Sequence, residues 1–143
     1  MARELDYELI KKTAEGYRKD MTAFLRAMIA IPSESAEEEG VIRRIKQEME
    51  KLDFDEVQID GLGNVIGFMG TGDKIMCLDG HIDTVGIGNR DNWKFDPYQG
   101  FETETEIGGR GASDQEGGVV SSVYGAKIMK DLGLLNDKYK ILV

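Results

Sequence analysis

Two periods of apolar residues alternate along this chain, and that alternation limits the fold more than any other feature. From Leu5 to Ile29 the positions Leu5, Ile10, Tyr17, Met21, Phe24, Leu25, Met28 and Ile29 recur at helical spacing, and Pro32 predicts the end of that helix. Ser35 with Glu38 three residues later reads as a capping box, ahead of a second helical stripe at Val41, Ile42, Ile45, Met49 and Leu52. Beyond Leu52 the runs shorten. Val57 and Ile59, a turn at Gly61 to Gly63, and Val65, Ile66, Phe68 and Met69 predict a hairpin.

Lys74 to Asp79 is a near-continuous apolar run, which predicts a strand covered on both faces and central in a mixed or parallel sheet. Cys77, flanked by Ile75, Met76 and Leu78, reads as a buried thiol, and as the lone cysteine it forms no disulfide within the chain. Phe101 to Ile107 alternates apolar residues or threonine with Glu102, Glu104 and Glu106, as a strand with one wet face does. A glycine-rich loop then leads to a third helical stripe at Val119, Val120, Val123, Ile128, Met129 and Leu132, with Gly133 as its expected cap. Lys138 to Val143 begins another strand that no turn or cap follows. The expected fold is α/β, a layered mixed sheet flanked by helices, with residues 1–143 forming the amino-terminal portion of one domain whose later strands are missing.

Composition narrows the function classes. With 41% hydrophobic residues in 143 positions, one packed core is within reach. Eighteen basic against 27 acidic residues give a net charge of −9, a field that repels phosphate backbones and anionic lipid, so nucleic acid and membrane are not expected partners. The start of the chain is charged through Lys12 and lacks the apolar centre of a signal peptide. A cytoplasmic location fits these features.

Two segments could carry chemistry. Gly80, His81, Ile82, Asp83, Thr84 and Val85 follow directly on the apolar strand, where sites form in α/β folds. If the backbone stays extended for two residues, His81 and Asp83 share a side, and the carboxylate can fix the imidazole while one ring nitrogen stays free for a metal. The same spacing suits an ordinary loop histidine with a carboxylate partner. The second segment, Gly108 to Gly118, holds five glycines that permit close approach to a ligand. Asp114 and Glu116 place negative charge where an anion would sit, so a cation suits the loop better than phosphate. On local sequence alone, Asp114 equally serves as a helix cap, Arg110 as partner to an acidic neighbour, and Gln115 and Glu116 as solvated first-turn residues.

Taken together, Gly80-His81-Ile82-Asp83-Thr84-Val85 and Gly109-Arg110-Gly111-Ala112-Ser113-Asp114-Gln115-Glu116-Gly117-Gly118 resemble the zinc exopeptidase family of acetylornithine deacetylase, succinyl-diaminopimelate desuccinylase and glutamate carboxypeptidase. The likeness extends to Ile31-Pro32-Ser33 and to Trp93, Asp96, Pro97 and Tyr98, and within the family it is nearest to hydrolases linked to selenium metabolism. The resemblance implies a zinc-exopeptidase-like (phosphorylase/hydrolase-like) catalytic domain that hydrolyses the amide of a peptide or N-acyl amino acid. It further implies that His81 binds one zinc, Asp83 steadies the His81 ring as a catalytic residue, and Asp114 bridges two zinc ions, with cobalt or manganese as substitutes. A cis peptide bond from Asp114 to Gln115 is implied for an assembled metal site, and Gly86 to Tyr98 for its rim. The family pattern also needs a second histidine, a general-base glutamate and further acidic ligands. This chain has one histidine, so the expectation is an inactive portion of a larger enzyme, which the family pattern allows to be a homodimer. Two other readings stand beside it: a small α/β module that binds an anionic ligand at the glycine loop, and a catalytically dead partner domain.

Overall fold

The computed structural model describes residues 5–135 and 138–143; the charged start at 1–4 lies outside the described residues. The amino-terminal stripe forms two helices rather than one, α1 (Tyr7–Gly16) and α2 (Arg18–Ile29). Asp6 opens α1 by accepting the Leu9 N–H at 2.9 Å, and the break falls at Tyr17. There the Tyr17 ring packs edge-on to Tyr124 with centroids 5.4 Å apart, while its hydroxyl donates to Asp131 at 2.5 Å. Periodicity alone does not register such a break, because the apolar positions keep helical spacing across it.

The next helix, α3 (Glu39–Lys51), begins without a side-chain cap at Glu38. The predicted capping box is therefore absent: Glu38 accepts the Ala36 N–H, and the Ser35 hydroxyl donates to Asp83 instead. The hairpin forms as expected, with β1 (Glu56–Ile59) antiparallel to β2 (Val65–Met69). Its turn is closed by Asp60, whose carboxylate accepts the Leu62 and Asn64 N–H groups at 2.9 Å.

The main sheet has the order β1-β2-β6-β3, with β6 (Tyr139–Leu142) antiparallel to β2 and parallel to β3 (Lys74–Cys77). Here the prediction of a central, doubly covered strand fails. Among the described residues β3 is an edge with one paired side, all four of its residues are exposed, and Cys77 lies at the surface. An apolar run reports that a strand suits burial, not which element covers it. The alternating segment after Gly100 is likewise not one strand but a tight hairpin, β4 (Phe101–Glu102) with β5 (Ile107–Gly108). Thr103 caps its turn by accepting the Thr105 and Glu106 N–H groups.

Helix α4 (Gly117–Asp131) follows the glycine loop and ends as predicted, with Gly133 in the left-handed region at φ 60°. One face of the sheet is closed by the helices. Phe24, Met28, Val41, Ile45, Met49, Met69, Val123, Tyr124 and Ile141 are each at most 1% exposed and form the core between α2, α3, α4 and β2/β6. Burying a side chain of this size contributes about 1.5–3 kcal/mol. That packed layer is the rigid base from which the end of β3 and the loop before α4 project.

Candidate metal centre

Past β3 the chain runs without regular secondary structure through Gly80 to Val85, and the side chains of His81 and Asp83 come together there. Nδ1 of His81 lies 3.1 Å from Asp83 Oδ1 and 3.1 Å from the Asp83 carbonyl oxygen. The other ring nitrogen, Nε2, lies 3.0 Å from Oδ1 of Asp114, 33 residues further along the chain. The slight burial of His81 lowers its pKa, but the bonds to Asp114 and Asp83 outweigh it and raise the value above the ordinary 6.5. Asp83 is held below its ordinary value, first by the Ser35 hydroxyl and then, against slight desolvation, by His81.

Asp114 reaches His81 because the loop before α4 is far from helical. Gly111 takes φ 82°, and a Cβ there would lie 2.7 Å from Thr84 Cγ2 and 3.0 Å from Glu116 Cδ, so only glycine allows this approach. Asp114 (φ −128°, ψ 95°) and Gln115 (φ −134°, ψ 37°) leave helical geometry, and the bond between them is cis. Asp114 does not cap α4; its side chain is 88% exposed and turned to His81.

Three neighbours differ from expectation. Glu116 is not solvated but 1% exposed, and burial pushes its carboxyl up to about 8. Helical and strand periodicities carry no signal for an acid drawn inward by a non-helical loop. Arg110 pairs with no acid among the described residues: its guanidinium lies over the Trp93 ring, 4.9 Å from the centroid, and donates to the Gly86 carbonyl at 3.3 Å. Trp93 in turn donates its indole N–H to the Ile87 carbonyl at 2.8 Å and packs edge-on to Phe95, which ties the 86–98 segment down by packing. Ser35 is the contact that sequence reasoning missed, since its spacing to Glu38 pointed to a helix cap.

The donor chemistry suits a zinc ion as far as it goes. An imidazole nitrogen and a carboxylate oxygen 3.0 Å apart are close to the separation needed by two atoms that each sit about 2.0–2.2 Å from one zinc. Asp83 supplies the outer carboxylate that ligating histidines use to fix their ring. Among the described residues, no group of three or more histidine, cysteine or acidic side chains is placed to hold a metal.

The chain is similar to several known proteins. Residues 77–143 match the profile of Peptidase family M20/M25/M40. The chain is 58% identical to YgeY of Escherichia coli strain K12, an uncharacterized protein, over 143 residues, which are 100% of this chain and 35% of that one. It is 28% identical over 116 residues to a probable succinyl-diaminopimelate desuccinylase of Staphylococcus aureus strain MRSA252, covering 79% of this chain and 28% of that protein. In structure it resembles human carnosine dipeptidase 1 (TM-score 0.74, 20% identity, 94% of this chain and 33% of that chain). It also resembles an M20 family metallo-carboxypeptidase from Sulfolobus solfataricus (TM-score 0.68, 23% identity, 96% and 30%). The chain thus has the α/β fold of metallopeptidases and spans about a third of the length of the relatives it matches. Its likeness to the M20/M25/M40 peptidase family rests on residues 77–143, the part of the chain that holds both motifs.

Proposed function

We propose that this chain carries part of the active site of a zinc-dependent hydrolase that cleaves the amide bond of a peptide or N-acyl amino acid. His81 and Asp114 would hold metal in this reading, while Asp83 would orient the imidazole. The observation that supports it is the approach of His81 Nε2 to Asp114 Oδ1 at 3.0 Å, across 33 residues of sequence and at the mouth of a loop that only glycine permits. Zinc bound there supplies Lewis-acid polarisation of the amide carbonyl and activation of a water. The chain's own residues bind the cations and keep the ring nitrogen turned towards Asp114.

Two donors are fewer than the three or four protein ligands that zinc sites take. The remaining ligands and the general base therefore belong, on this proposal, to sequence outside these 143 residues, and the chain alone is inactive. An anion at the same loop would instead meet the carboxylates of Asp83 and Asp114, which disfavours the reading as an anion-binding module.

Zinc titration followed on the resonances of His81, the single histidine, tests the assignment. The expected result is weak, saturable perturbation of the ring in the wild-type chain, lost in Asp114→Asn, with zinc binding itself lost in His81→Ala. Tight stoichiometric zinc binding in His81→Ala places the metal elsewhere and overturns the proposal.

A further inference from the structure

The chain contains two Asp-Gly pairs, Asp60-Gly61 in the β1–β2 turn and Asp79-Gly80 directly ahead of His81. At such a pair the aspartate carboxyl lies within reach of the next main-chain nitrogen, and glycine puts no Cβ in the way. The fold treats the two pairs differently. Asp60 Oδ1 accepts the Leu62 and Asn64 N–H groups at 2.9 Å, and its Oδ2 accepts the Asn64 side-chain amide at 2.9 Å. The bonds from Asn64 and Leu62 hold this carboxyl below its ordinary value, so it stays ionised with both oxygens engaged.

Asp79 has no such restraint. It is exposed, and its carboxylate accepts no hydrogen bond among the described residues. The last tie from this strand to β6 is the Leu78 N–H on the Leu142 carbonyl at 2.8 Å, and the Gly80 N–H has no partner among the described residues. A Cβ at residue 80 would lie 2.8 Å from Gln115 Oε1 and 3.1 Å from Val119 Cγ2, so packing against α4 and the loop before it favours glycine there. The residue that lets the chain pass this close also leaves its nitrogen unshielded.

We propose that Asp79-Gly80 is a site of spontaneous aspartate isomerisation, and that the reaction unseats His81. The Gly80 nitrogen attacks Asp79 Cγ. A C–N bond forms, the carboxyl hydroxyl and the amide proton leave as water, and a cyclic imide remains. Water then opens the ring: addition at Cγ restores aspartate, whereas addition at the main-chain carbonyl leaves the backbone running through the side chain as iso-aspartate. Water lost in the first step is regained in the second, and nothing else is consumed. The iso-aspartyl link adds one carbon, about 1.5 Å of chain, between β3 and His81. That is large beside the 3.0 Å that separates His81 Nε2 from Asp114 Oδ1. Neither the reaction nor the displacement depends on His81 being a metal ligand.

The test ages the full chain in warm neutral buffer made with heavy-oxygen water, both folded and in urea, and reads each digest by electron-transfer fragmentation, which separates iso-aspartate from aspartate. In urea both pairs are expected to isomerise at similar rates. In the folded chain the rate at Asp60 falls by about tenfold or more, the factor that two or three hydrogen bonds on the carboxylate supply, while Asp79 stays within about threefold of its rate in urea. Each turnover leaves heavy oxygen at residue 79. Asp79→Glu, whose longer side chain closes the ring poorly, loses the signal at 79 and keeps that at 60 in urea, where folding of the variant does not matter. Slowing at Asp79 as large as that at Asp60, or iso-aspartate at 79 without heavy oxygen, overturns the proposal. The isomerised fraction is also expected to give a second set of His81 ring resonances in proportion to its amount, and a single unshifted set overturns the displacement of His81. Failure of the metal reading has a different signature, in which zinc leaves the His81 resonances of fresh protein unmoved.

Discussion

Glu48 lies in the core at 1% exposure, where its carboxylate accepts from Arg44 at 2.6 Å, from the Tyr124 hydroxyl at 2.5 Å and from Lys51 at 3.3 Å. Burial pushes its pKa up, yet the bonds from Tyr124 and Arg44 together outweigh burial and hold it below the ordinary 4.5. A carboxyl lowered on folding contributes stability that is present above 4.5 and is lost as pH falls through the folded value. Denaturant midpoints are therefore expected to drop as the solution is acidified below that point, and Glu48→Gln to flatten the decline. Glu48→Ala leaves Arg44 and Tyr124 without their buried partner and is expected to cost about 3–5 kcal/mol at neutral pH, read by urea unfolding. At Ala36, which adopts the left-handed φ of 73°, the sign reverses. A left-handed alanine is strained by about 1–2 kcal/mol, so Ala36→Gly is expected to be neutral or to stabilise by up to about 1 kcal/mol after glycine's larger entropy loss. At this scale His81, Asp83 and Asp114 were legible as a group from their motifs. Glu48 and Ser35 were not, because a helical i, i+4 pair such as Arg44 and Glu48 reads the same on a wet face as in a core.

The elements follow the apolar periods where one face of each meets the core. Helices α3 and α4, the β1–β2 hairpin and the strand β6 lie where Val41 to Leu52, Val119 to Leu132, Val57 to Met69 and Tyr139 to Val143 predicted them. Misreadings arose where the pattern was satisfied without the expected neighbour. The run at β3 is apolar but lies at an edge, and the Phe101–Ile107 alternation folds back on itself once Thr103 captures two backbone amides. Packing between elements is tight where β2 passes beneath α3. A Cβ on Gly67 would meet Met49 Sδ at 2.7 Å and Phe54 Cδ1 at 2.8 Å. Gly67→Ala is accordingly expected to lose about 1–3 kcal/mol by overpacking, measured as a lower urea midpoint with an unchanged slope.

Across the whole molecule, 27 acidic against 18 basic residues leave a charge of −9, and most of the ion pairs lie at the surface, such as Arg43 with Glu39 and Arg18 with Glu15. Exposed pairs of this kind contribute about 0–1 kcal/mol each and weaken in salt, whereas the net repulsion acts over the entire surface. Raising sodium chloride from about 0.01 M to 0.5 M, which shortens the screening length severalfold, is expected to raise the thermal midpoint. A fall would mean that the surface pairs outweigh the repulsion. No helix among the described residues is long and apolar enough to cross a membrane. The overall class was legible because two motifs about thirty residues apart converge in space, while the sheet order was not, since hydropathy does not encode which strand lies beside which.

Trp93 is the sole indole in the chain, with its N–H fixed to Ile87 and the Arg110 guanidinium stacked on its face. Its emission colour and lifetime therefore form a built-in optical gauge of the contacts that join Trp93, Ile87 and Arg110, readable without attaching a dye.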